Sequence, residues 1–235
     1  MYESPPVEMA KTKYFSNFAS KHMPEMRILQ KGGILGKEGE NPDWRNISEH
    51  CLTEAVAADI LAESLQADRK KLVTAALIHD WYKRREVETM KQMGGGLGYR
   101  ETAAEDERLL TEYNVPPEVI SLAHANIPSS SDSKQLGKRT IEEKIMHYID
   151  LTTSGTDFIE VETRIEQVSK KSHNIEFSES FREQYEGKSL FEVQLEVTKS
   201  EQAEFENALQ LEPGTLIEYI KNKLEERINN PADES

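Results

Sequence analysis

An all-α fold is predicted for this chain of 235 residues. Apolar residues recur at helical spacing in one segment after another, polar or glycine-rich punctuation separates the segments, and neither an alternating strand pattern nor an internal repeat stands out. Segments 6–22 and 24–30 read as short helices, stopped by Gly32-Gly33 and a polar loop that reaches Asp43. A strong helix is predicted over 46–66 and another over 68–84, with Asp68 as its N-cap. Residues 86–93 continue the pattern up to Gly94-Gly95-Gly96-Leu97-Gly98, a cluster that follows no strand and lacks the Lys-Ser/Thr of a P-loop, so it reads as a loop. Helices over 99–113, 117–127 and 141–153 follow, with Pro116-Pro117 between the first two and a surface loop, SSSDSKQLGKR, at 129–139.

Beyond Gly155 three sets keep helical spacing: Phe158, Val161, Ile165 and Val168; then Phe177, Phe181 and Tyr185; then Leu216, Ile220, Leu224 and Ile228. No chemically reactive side chains are concentrated on them. They are expected to pack on the preceding region or on a second copy of the chain in a homodimer.

Composition narrows the function classes. The chain is 37% hydrophobic and 31% charged, with a net charge of −14 and a pI near 5.0. Its overall field repels phosphate backbones and anionic lipid, so no nucleic-acid or membrane partner is expected, although a local cationic site can still hold a small anionic substrate. The N-terminal residues lack the basic and apolar regions of a secretory leader, and no apolar run approaches membrane-spanning length. The single cysteine, Cys51, excludes an internal disulfide and a zinc ribbon. A cytoplasmic protein is the expectation.

The informative residues are polar ones on apolar stripes. His79 continues the face of Leu72 and Ala76, and Asp80 continues that of Val73 and Ala76. His50 shares a face with Ile47, Ala57 and Leu61, and Glu54 follows it by one turn. His124 aligns with Ile120 and Ile127, and Asp150 lies one turn after Met146, beside Ile149. Any one of these has an ordinary explanation, a histidine bonded to a carbonyl or an aspartate capping a helix. Taken together they would require several independent desolvation costs, most of which one divalent cation would remove.

The order His50, His79-Asp80, Asp150 resembles the H…HD…D signature of the HD superfamily of metal-dependent phosphohydrolases. NISEHCLTEAVAADILA at 46–62, AALIHDWYK at 75–83 and EEKIMHYIDLTTSG at 142–155 are similar to the helices that carry that signature. The resemblance spans roughly 44–155. It implies an HD-domain-like helical bundle, with an N-terminal helical extension over 1–43 and additional C-terminal helices over 156–235. It also implies His50, His79, Asp80 and Asp150 as ligands of a divalent ion (Mn, Fe, Co, Ni, Zn or Mg), and Lys83 as the lysine that holds a substrate phosphate. His124 falls where binuclear relatives place a further histidine. Those relatives carry one more between the HD pair and that point, and this chain has none, so a mononuclear site with His124 near the substrate is preferred. Glu101 and Glu105 would be substitutes, but read more simply as solvated glutamates.

The expected activity is cleavage of a phosphomonoester or phosphodiester of a nucleotide or similar small phosphate compound by metal-activated water. Asp80 or Asp150 would orient the water, with Asp80 and Lys83 as catalytic residues. Lys83, Arg84 and His124 would bind substrate, Arg85 adding to the positive charge. The alternative is an inactive HD-type module that binds metal or nucleotide for regulation. Of the remaining candidates, His147 reads as a surface histidine near Glu143, and His22 and His173 lie in polar surroundings. Trp44, Arg45 and Trp81-Tyr82 line a pocket or pack the core, and Cys51 reads as a small buried residue.

Overall fold

The segment that organises the molecule is EAVAADILA, because its small and aliphatic residues let neighbouring helices approach from several sides. In the computed structural model, which describes residues 6–35, 44–93, 98–125, 139–170, 178–183 and 185–230, this segment is the middle of a central helix. The elements in chain order are α1 (Pro6–Lys21), α2 (Met23–Lys31), α3 (Arg45–Leu65), α4 (Arg69–Ile78), α5 (Lys83–Gln92), α6 (Gly98–Glu112), α7 (Pro117–Ala123) and α8 (Ile141–Thr152). A two-stranded antiparallel pair follows, β1 (Thr153–Ser154) and β2 (Asp157–Phe158), then α9 (Val161–Ser169), α10 (Leu190–Ala208) and α11 (Leu216–Asn229). The fold is all-α, with that short hairpin as the sheet among the described residues.

Cys51, Ala55, Val56, Ala57, Ala58, Ile60, Leu61 and Ala62 of α3 are all buried, and α4, α8 and α11 pack around them. Capping fixes the start of several helices. Asp68 accepts a hydrogen bond from the Lys71 amide at 3.0 Å, which makes it the N-cap its sequence position suggests. Thr140 with Glu143, and Ser189 with Glu192, form capping boxes that start α8 and α10.

The apolar faces after residue 155 rest on the same core. Leu216, Ile217, Ile220 and Leu224 of α11 join the main cluster, and Phe205 of α10 meets Tyr148 of α8 edge-on, with ring centroids 5.8 Å apart. Phe181, Tyr185 and Leu190 form a smaller satellite cluster. Residues 181–183 and 185–187 form turns in place of the continuous helix suggested by Phe181 and Tyr185; Phe177 and His173 lie outside the described residues, as do Gly94 to Leu97 and most of the 129–139 loop.

Three further expectations are corrected. The helix expected over 68–84 ends at Ile78; a turn over 79–82, closed by bonds from Trp81 N to Ile78 O and from Lys83 N to Asp80 O (both 3.1 Å), separates it from α5. Trp81 is held in that turn because its indole N–H donates to buried Asp106 of α6 at 2.6 Å. The helix expected over 117–127 stops at Ala123, with His124 at its C-terminal cap. His147 is buried, its Nδ1 2.6 Å from Glu201 Oε2 on α10, while Arg139 reaches the other Glu201 oxygen at 3.5 Å. The histidine was misplaced because α10, rich in charged residues, is not evident from apolar spacing.

An ion-pair network ties the far end of α3 to its neighbours. Arg69 binds Asp59 through two hydrogen bonds of 2.8 and 2.9 Å, and Arg227 of α11 reaches Asp59 at 2.6 Å and also pairs with Glu63. Burial would raise the Asp59 carboxyl, but the two guanidinium groups outweigh it and hold it below its usual range. Because the folded-state value is depressed, its stabilisation is present above the ordinary aspartate value and is lost as pH falls through the folded one. Asp59→Asn is therefore expected to destabilise the protein at pH 7 by about 2 kcal/mol, less than for a fully buried pair because Arg69 is half exposed. Urea melts at pH 7 and pH 3 check this, with the difference from wild type shrinking at the lower pH.

Candidate metal centre

Three stretches of chain supply the centre. On α3, His50 and Glu54 are four residues apart and so lie one above the other on the same face. On α8, Asp150 lies beside the buried Ile149 near the end of the helix. His79 sits where α4 ends, so that the turn brings its ring beside the α3 pair. Adjacent side chains on a helix diverge by about 100°, and His79 keeps a helical backbone (φ −58°, ψ −36°), so its ring enters the group while Asp80 stands at the edge.

His50, Glu54, His79 and Asp150 each place one ligand-type atom within 4.8 Å of the others. His50 Nε2 lies 2.8 Å from Glu54 Oε1 and 3.7 Å from Asp150 Oδ1; His79 Nε2 lies 3.3 Å from Glu54 Oε2 and 4.0 Å from Asp150 Oδ1. Both histidines and Glu54 are buried, while Asp150 faces partly outward. The group can hold a metal ion and is compatible with an HD-type site.

The chemistry of the donors fits a cation. Both Glu54 oxygens and His79 Nε2 are shut off from solvent and meet one another and His50 Nε2 at distances of 2.8 and 3.3 Å without good hydrogen-bond geometry, an arrangement costly unless something else satisfies them. The His79 ring is oriented from behind, since Nδ1 donates to the Ala76 carbonyl at 2.8 Å. In the neutral imidazole that leaves the Nε2 lone pair directed into the cluster. Burial alone would lower the pKa of both imidazoles, but the Glu54 carboxylate outweighs it, lifting His50 to about 10 and raising His79 well above its usual value. Burial pushes Glu54 upward, with both imidazoles acting against it. Neutral imidazoles and carboxylates are the forms that ligate a metal, so a cation binding here competes with protons for the same atoms.

Asp80 and Lys83 stand at the edge of the cluster. Asp80 Oδ2 is 3.8 Å from His79 Nε2, and Asp80 Oδ1 is 3.3 Å from Lys83 Nζ, which also lies 3.5 Å from Glu86. Burial would raise Asp80, but Lys83 and then His79 hold it below the usual carboxylate range; Asp80 in turn holds the Lys83 ammonium above its usual value. Lys83 is 40% exposed, so its charge is available to a ligand from solvent.

The other site candidates are dispersed. His124 Nε2 is 3.0 Å from Asp106 Oδ2, so one buried carboxylate links it to Trp81. Arg84 pairs with Glu88 at 2.9 Å and packs against Gly33, away from the four-residue group; Arg85, Glu101 and Glu105 are exposed. Cys51 is fully buried, and Trp81 and Tyr82 are both buried in the core.

Glu54 is the residue that sequence reasoning passed over as a ligand, and its position one turn after His50 on the same helix face was the signal that marked it. Across its length the chain matches no family model, and no curated protein or solved structure resembles it significantly. No helix among the described residues is long and apolar enough to cross a membrane.

Proposed function

We propose that the protein is a metal-dependent phosphohydrolase of the HD type, acting on a nucleotide or similar small phosphate ester. The observation that carries this reading is the gathering of His50, Glu54 and His79, all buried, with Asp150 into one group of ligand-type atoms beside a half-exposed lysine. Those four residues would hold a divalent cation, with Asp80 at 3.8 Å from His79 as an adjoining carboxylate. Bound there, the ion supplies Lewis acidity toward a phosphoryl oxygen and lowers the pKa of water.

The chain's own residues divide the remaining work. Lys83 offers its ammonium group to a phosphate oxygen and offsets charge that builds up as the ester bond breaks. Asp80, kept ionised by Lys83, accepts a proton from the attacking water. Asp106 fixes the orientation of the His124 ring through Nε2. The buried walls around His50 and His79 limit access of bulk water to the reacting groups.

Phosphate release from a panel of nucleotides and phosphomonoesters, with Mn, Co, Ni or Mg added, tests the reading. Wild type is expected to release phosphate from at least one compound. Lys83→Gln is expected to lose about a hundredfold in turnover while retaining its metal, because its ammonium group pairs with Asp80 and Glu86 at the edge of the cluster. Metal retention with no release from any compound would favour a regulatory binding module instead.

A further inference from the structure

A groove of about 910 Å³ lies between α1, α3, α4 and α11, and none of the residues lining it belongs to the metal-centre group. Along α3 its floor residues, Asp59 and Glu63, are nine and thirteen positions beyond His50, roughly 14 and 20 Å along the helix axis. The groove is cationic in a chain whose net charge is −14. Its basic side chains are Lys21, Arg69, Lys70, Lys223 and Arg227, against the carboxylates of Asp59, Glu63 and Glu226, a surplus of two positive charges before His22 is considered.

The arrangement of those charges matters more than their count. Asp59 and Glu63 are engaged by Arg69 and Arg227, so the acids serve mainly to seat two guanidinium groups at the floor. Lys70 is exposed and has no ion pair among the described residues; Lys223 is 40% exposed, with Glu226 as its neighbour at 2.7 Å. The walls add rings: His22 lies against Phe18 with centroids 4.8 Å apart, and the Tyr219 hydroxyl is fixed by Ser64 at 2.8 Å. Lysines at the rim, fixed guanidinium groups below and aromatic walls suit an anion with several charges spread along its length.

We propose that this groove is a second binding site, separate from the metal centre, for a polyphosphate anion, either free or as the tail of a nucleotide. Lys70 stands on α4 and Lys223 on α11, so the two lysines belong to different walls of the groove, and an anion with more than one phosphate can engage both where a single phosphate would meet one. Nothing in the groove supplies the donor set of a metal site, so binding there needs no cation.

Calorimetric titration at low ionic strength in the presence of EDTA, with pyrophosphate and adenosine triphosphate as probes, tests the site. Both are expected to bind wild type, and to bind Lys83→Gln equally well, since that substitution alters only the metal-centre edge. The Lys70→Glu, Lys223→Glu double variant is expected to weaken binding at least tenfold with an unchanged thermal transition, because both side chains project toward solvent. Tighter binding of the nucleotide would identify the rings of His22 and Tyr219 as part of the site; equal binding would identify the polyphosphate alone. No binding to wild type, or binding lost in Lys83→Gln and kept in the double variant, would overturn the proposal.

Discussion

Glu54→Gln is expected to abolish retention of the metal while leaving the helices in place. Glutamine preserves the shape of the side chain but removes the charge that faces His50 Nε2 at 2.8 Å and His79 Nε2 at 3.3 Å. Loss of a partner that merely orients a ligand costs about 10–100-fold in metal affinity. A direct ligand contributes more, so a loss of at least about a hundredfold is expected here. The measurement is the thermal transition with excess metal and with EDTA. Wild type should show a clear upward shift on metal addition, because a ligand that binds only the folded state stabilises it by mass action. In Glu54→Gln the two transitions should coincide. An undiminished shift would remove Glu54 from the ligand set and return its place to Asp80.

Gly32→Ala is expected to produce the largest structural penalty of any single methyl group added outside the core. A Cβ built at Gly32 would lie 1.9 Å from the Trp81 carbonyl oxygen, and that atom belongs to the backbone of the turn that follows His79-Asp80. Backbone cannot swing aside as a side-chain end can, so the cost falls toward the top of the overpacking range, about 3 kcal/mol. For a domain of this size that corresponds to a fall in Tm of roughly 6–12 °C. Displacing Trp81 also disturbs its bond to Asp106 and the placement of His79, so weakened metal retention should accompany the loss of stability. Gly33→Ala is the control. Gly33 has φ +73°, which costs about 1–2 kcal/mol for an L side chain, but its close neighbour is the flexible Arg84 side chain at 3.0 Å. It should destabilise moderately without altering metal retention.

The contrast between His79 and His147 shows how far side-chain periodicity reaches. His50, His79 and Asp150 could be picked out because each interrupts an apolar stripe, and the structure brings all three into one group with Glu54. What periodicity could not supply was the turn at 79–82, because the break depends on Trp81 meeting Asp106 twenty-five residues away in sequence. His147 was read as exposed for a related reason. Its partner, Glu201, sits on α10, whose buried face includes Thr198, Glu201, Gln202 and Glu206 and so gives little apolar signal. The Ser189…Glu192 capping box was nonetheless present in the sequence and would have marked where that helix begins. Glu54 illustrates the opposite case, a charged residue whose helix and face were both legible but whose burial depends on α4 and α8 closing over it.

Elemental analysis of the purified protein, after loading with a divalent metal and removal of the unbound ion, tests the central claim most directly. A His50, Glu54, His79 and Asp150 centre should retain close to one equivalent, and the Asp150→Ala variant, prepared in parallel, should retain far less. Wild-type protein that retains no metal after loading with any of Mn, Fe, Co, Ni, Zn or Mg would contradict the account.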